Sequence, residues 1–123
     1  MAAGTVIAES LRLGVKLAAD VHEIERVDAG ELSAEQRAAG LPERWTLLRF
    51  HVPDEDAERL ANALAAALES VGWYADLHTA QESFVVFADE VFRYARGDPD
   101  GRAEAEAHAR SLGVPQPQLD WPE

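Results

Sequence analysis

Between Gly72 and Asp98, in GWYADLHTAQESFVVFADEVFRYARGD, apolar and polar residues alternate with the two-residue period of half-buried strands. Trp73, Ala75 and Leu77 fall on one side of the first run, and Tyr74, Asp76 and His78 on the other. The runs FVVF (84–87) and VFRY (91–94) are separated by Ala88-Asp89-Glu90, the spacing of a hairpin with a short turn. In the second of these, Phe92, Tyr94 and Arg96 share one face and Val91, Arg93 and Ala95 the other, so neither face is wholly apolar. The pattern predicts a three-stranded meander, one face against helices and the other partly wet, with the rest of the chain arranged to cover it.

Upstream, 5–13 alternates as a strand that Gly14 would bend, and 15–27 reads as a strand with an irregularity or as a helix, because Val21, Ile24 and Val27 recur every third residue. Asp28-Ala29-Gly30 is a turn. Ser33 followed by Gln36 has capping-box spacing for a short helix that Gly40 ends. WTLLRFHV (45–52) predicts a strand. A helix follows, with Asp54 as its N-cap, carboxylates at 55, 56 and 58 matching the helix dipole, Leu60, Leu64 and Leu68 on one stripe, and Gly72 as its stop. Asp98-Pro99 opens a last helix that runs to Leu112, where Gly113 takes the left-handed turn, Val114 packs back on Ala109 and Pro115 forbids continuation. The tail from 114 to 123 is extended, with Leu119 and Trp121 on one side and able to dock.

This order predicts an α+β fold: an antiparallel-rich sheet with helices mainly on one face. Its β-α-β-β-β-α core, preceded by one or two N-terminal strands, has a ferredoxin-like arrangement as its nearest analogue. One domain is expected over residues 1–123, made of an N-terminal part (1–44), a core (45–113) and the tail.

Composition narrows the function classes. A chain of 123 residues, 47% hydrophobic, is long enough and apolar enough to bury a core despite a formal charge of −12. That charge repels nucleic acid and anionic lipid, so no direct binding to either is expected. Cysteine is absent, which excludes disulfides, thiolate nucleophiles and Cys-ligated zinc. No apolar run reaches the roughly 20 residues that span a bilayer, and MAAGTVIAES has no leader pattern, so a cytoplasmic location is expected.

His22, His51, His78 and His108 lie on different elements without HExxH spacing, and neither a metal nor a cofactor is expected. Asp76 and His78 point the same way on one strand and are weak candidates for an acid-base pair, with Glu82 as a neighbouring carboxylate; a solvated strand face explains them more simply. His108 pairs most simply with Glu104, one helical turn earlier. Arg96-Gly97-Asp98 is accounted for by a strand end, a turn and an N-cap. The richest constellation is Trp73, Tyr74, Phe92, Tyr94 and Arg96, in which aromatic rings and an arginine could line a cleft for a planar or anionic small molecule.

The alanine richness and the single lysine, Lys16, suggest a GC-rich coding genome, and the segments GWYAD, FVVF, VFRY-x-RGD and QLDW resemble a family of small uncharacterised acidic proteins of GC-rich, actinobacteria-like bacteria. That resemblance implies a soluble bacterial protein and assigns no site. The expected function is a non-catalytic binding or protein-interaction module, self-associating or with a protein partner, and with a small-molecule ligand. One alternative is a small-molecule enzyme using Asp76 and His78 with Tyr74 and Arg96. Another is an acidic antagonist of a basic nucleic-acid-binding protein.

Overall fold

The computed structural model describes residues 1–123. It has the α+β class that the pattern predicts. Six strands, β1 (Ala2–Ile7), β2 (Asp20–Asp28), β3 (Arg44–Val52), β4 (Ala75–His78), β5 (Glu82–Phe87) and β6 (Glu90–Ala95), form one sheet, with three helices, α1 (Ala34–Ala38), α2 (Ala57–Ala67) and α3 (Pro99–Ser111). The strand order is β2-β3-β1-β4-β5-β6, and every pairing is antiparallel. No helix is long and apolar enough to cross a membrane.

The β4–β5–β6 meander forms as its alternation requires, and Asp89, in the left-handed region at φ 62°, closes the β5–β6 turn. β3, α2 and β4 make the predicted strand-helix-strand unit. It is split, because β1 lies between β3 and β4 and is antiparallel to both, so that β3 and β4 run parallel without touching. The N-terminal segment therefore sits at the centre of the sheet instead of preceding the core. Its strand ends at Ile7, since Ala8–Ser10 turns as a 3-10 helix and Leu11 pairs with Leu68. The ambiguous segment 15–27 contains β2, and its period of three has a local cause. A register shift between Val21 and Glu23 adds one residue, which places Val21 and Ile24 opposite Phe50 and Leu48 on one face and leaves Val27 opposite Trp45 on the other.

The helices are divided between the two faces, where the sequence pattern had suggested one. The reason is β5. Phe84 and Val86 point one way, Val85 and Phe87 the other, and all four are buried, so both faces require cover. α2 covers the first face, where Leu60, Leu64 and the following Leu68 meet Phe50, Leu77 and Phe84. Three such leucines contribute about 5–8 kcal/mol. Asp54 does not cap α2 directly. Residues 54–56 wind as a 3-10 turn, and the Asp54 carboxylate lies 3.3 Å from the Met1 ammonium. α2 also ends before Gly72, at Ala67, because the backbone of 67–69 bonds to Ser10 and Arg12.

α3 and the tail cover the β5–β6 half of the second face. A stripe of small residues, Gly101, Ala105 and Ala109, lets the helix descend onto the sheet: a Cβ on Gly101 would stand 2.5 Å from that of Tyr94. α1 begins with the predicted capping box, in which Ser33 Oγ accepts from the Gln36 amide at 3.1 Å and Gln36 Oε1 accepts from the Ser33 amide at 2.9 Å. The Gln36 side chain is wholly buried and donates to the Gly72 carbonyl and to Gln118 Oε1, joining three distant stretches of chain.

Close packing is tightest at Gly4 in β1, where an added Cβ would meet the Asp76 carbonyl, the Leu77 Cβ at 2.7 Å and the Phe50 ring at 2.7 Å. Two of these are backbone or backbone-proximal and cannot swing away. Gly4→Ala is therefore expected to cost about 1–3 kcal/mol, the usual range for overpacking, and thermal unfolding should show the melting temperature lowered by several degrees.

Candidate functional site

The tail builds the site. α3 ends in a Schellman turn: Gly113 takes φ +87°, the Val114 amide bonds to the Ala109 carbonyl and the Gly113 amide to that of Arg110. Val114 joins Ala109 in the core, as the sequence predicts. The chain then doubles back through a short 3-10 turn (Gln116–Gln118) and lays Leu119 and Trp121 on the second face of the sheet. Trp121 is 3% exposed, and its Nε1 donates to the Tyr94 hydroxyl at 2.8 Å. The Arg102 guanidinium stacks over the indole at 4.7 Å and donates to the Trp121 carbonyl at 2.9 Å. Tyr74 holds the tail from below, its hydroxyl proton shared between the Gln118 carbonyl at 2.5 Å and Asp120 Oδ1 at 2.9 Å.

Because the tail covers only part of this face, a cleft opens between it and β2, β3 and β1. Its upper chamber, about 290 Å³, is walled by Trp45, Trp73, Val27 and Ala29, with Asp28 and Pro117 at its edges. A lower chamber of about 250 Å³ contains Thr5, Arg49, Asp76 and Pro122. Ile7, Leu47, Tyr74 and Asp120 border both chambers, and the boundary these four residues share is the neck of the cleft.

Asp76 dominates the electrostatics. Cross-strand register puts Arg49, Thr5, Asp76 and Val85 in one row across the second face, so Asp76 stands where the covered and open parts of the sheet meet. Burial drives its carboxyl pKa up to about 7, and the charge of Asp120 adds to the rise; Arg102 and Arg49 oppose it without cancelling it. Hydrogen bonding makes no contribution. Both arginines are already engaged, Arg49 with Glu25 at 2.9 Å and Glu23 at 3.5 Å, and Arg102 with Glu106 at 3.3 Å. The Tyr74 hydroxyl is held well above its ordinary range by burial and by Asp120 and Asp76, so it remains a donor.

The residues singled out in the sequence divide among three places. Tyr74 and Asp76 are in the cleft, and Trp73 contributes one edge to it while packing against Trp45 at 5.1 Å. Phe92 and Tyr94 are drawn under α3 and the tail, Phe92 against Phe87 and His108, Tyr94 onto Trp121. Arg96 and His78 lie apart from both chambers: Arg96 donates to the Glu123 carbonyl, and His78 is held below its ordinary pKa by burial and by Arg96, with its Nδ1 buried and unpartnered. Glu82 is bidentate to Arg93, at 2.7 and 2.8 Å, and so engages neither Asp76 nor His78. His108 faces Glu90 at 3.6 Å rather than Glu104. No three His, Asp or Glu side chains gather to hold a metal ion. Asp120, Trp45, Leu47 and Arg49, absent from the sequence-based candidates, complete the cleft.

No protein-family model, curated protein or solved structure matches the chain at a significant level.

The raised pKa of Asp76 has a definite sign in stability. The unfolded chain ionises this side chain near pH 4, the folded protein only near pH 7, so between those values the folded state binds the extra proton and stability falls as pH rises. Above the folded value the whole penalty persists. Asp76→Asn should therefore melt higher than wild type at about pH 8, by a few degrees, with the gain disappearing toward pH 4, as measured by paired thermal melts across that range.

Proposed function

We propose that the chain is a non-catalytic binding module whose small-molecule ligand occupies the cleft between β3 and the C-terminal tail. The observation that carries this reading is a pair of adjoining chambers that share Ile7, Leu47, Tyr74 and Asp120 in their linings, apolar and aromatic above and charged below. A preformed cavity with mostly apolar walls and a few convergent polar groups is the form that ligand sites take. A catalytic reading draws less support from the geometry. His78 is outside the cleft, and the Tyr74 hydroxyl is committed to holding the tail.

Leu47 offers the direct test, because it borders both chambers and is itself only half-buried. In a fragment screen followed by methyl NMR, ligands are expected to shift Ile7 and Leu47 together, and Leu47→Trp, which fills the neck, should weaken them by about tenfold or more, the scale of losing one or two buried contacts. Fragments that bind elsewhere and ignore Leu47→Trp would remove the reading.

Self-association is a second reading, favoured by β2. This nine-residue strand ends the sheet with one edge unpaired, and beside it Ile24 is 66% exposed and Val21 47%. Glu23 and Glu25 on the same strand, and a net charge of −12, oppose it, which is why it stands second. Sedimentation equilibrium should reveal dimers that strengthen with salt and are abolished by Ile24→Lys. A monomer at high concentration in high salt sinks this reading and leaves the first intact.

A further inference from the structure

We propose that the cleft selects a small organic cation: a protonated amine that reaches Asp76 and Asp120, carried on an apolar body that lies against Trp45 and Trp73. The proposal rests on the binding reading above and adds the charge of the ligand. Its first support is the charge lining. Asp28, Asp76 and Asp120 face the two chambers, and the one basic residue lining them, Arg49, is already bonded to Glu23 and Glu25 outside. An anion would meet three carboxylates with no free cation to receive it.

The second support is the state of Asp76. Its side chain is part-buried and borders the lower chamber, and no hydrogen bond from the protein offsets its desolvation. A part-buried carboxylate in that state lacks a protein donor, and an ammonium group supplies up to three. Asp120 is placed to share that group. One of its oxygens accepts from Tyr74, and the side chain borders both chambers. Above the neck, Trp45, Val27 and an edge of Trp73 give an apolar lining that suits an aryl or alkyl body.

Binding should also release a proton from the protein. The groups facing Asp76 are Asp120 from the tail, Arg102 from α3, Arg49 from β3 and the Tyr74 hydroxyl, and Asp76 retains its proton up to about pH 7. An ammonium arriving beside it displaces that proton, so affinity should fall as pH drops below about 7.

The test uses three probes with one phenethyl-type body and different heads: phenethylamine, phenethyl alcohol and hydrocinnamate, titrated against the full chain and followed by the methyl signals of Ile7 and Leu47. The amine should bind in the cleft about tenfold or more tightly than either of the others, and should lose most of that advantage in Asp76→Asn and, separately, part of it in Asp120→Asn, as expected when one partner of a charge pair is removed. Asp120→Asn alters an exposed side chain, so it gives a reading even if the buried substitution perturbs packing. Cleft binding in which the alcohol or the acid equals the amine overturns the cation assignment and leaves the binding module standing. Amine binding undiminished in both variants overturns the role of the two aspartates. If none of the three moves Ile7 or Leu47 at any concentration, the cleft as a binding site falls with it.

Discussion

β3 and β4 each hydrogen-bond to β1 and not to each other, so the six-stranded sheet is joined through one six-residue segment. Everything else follows from the need to place that segment. On the first face it brings Gly4 so close to Phe50 and Leu77 that any side chain would strain the packing, and on the second it sets Thr5 between Arg49 and Asp76. The residues that pair here are separated by tens of positions along the chain. Closing the sheet thus means paying a large loop entropy before α2 has a complete surface to bury.

The second constraint is the two-sided apolar character of β5. It obliges α3 to pack opposite α2, and the Schellman turn after α3 then aims the tail back across the sheet toward Trp73 and Tyr74. The tail is thus a wall as much as an end. It buries Trp121 beneath Arg102, shields Asp76 from water on one side and leaves the β2–β3–β1 portion of the face open on the other. The cleft is the gap between what a ten-residue tail can cover and what six strands expose.

Local signals carried much of this. The capping box at Ser33 and Gln36, the Asp98-Pro99 helix start, the Gly113 stop and the hairpin at 88–90 each form as the residues require, because each is decided within a few positions of chain. The α+β class followed from their order. What could not be read is what depends on partners far away in sequence. β1 as central strand and the early end of α2 at Ala67 come from long-range pairings, and it is the pairing with β3 that decides between the two readings of 15–27 in favour of the irregular strand. The site suffered the same way. Alternation put Asp76 and His78 on one face, but it is the tail that chooses between them, covering Asp76 with Asp120 and leaving His78 beside Arg96. Trp45, Leu47 and Asp120 carry no motif, and nothing short of the sheet order brings them together.

The placement of the three tryptophans has an optical consequence. Trp45 and Trp73 wall the cleft and Trp121 plugs the tail, while the face beneath α2 is built from alanine, leucine, valine and phenylalanine. Intrinsic indole emission therefore reports on one side of the sheet alone. Detachment of the tail or opening of the cleft would be seen at once, whereas loosening of α2 would pass in the dark and must be followed by a far-ultraviolet or exchange signal instead.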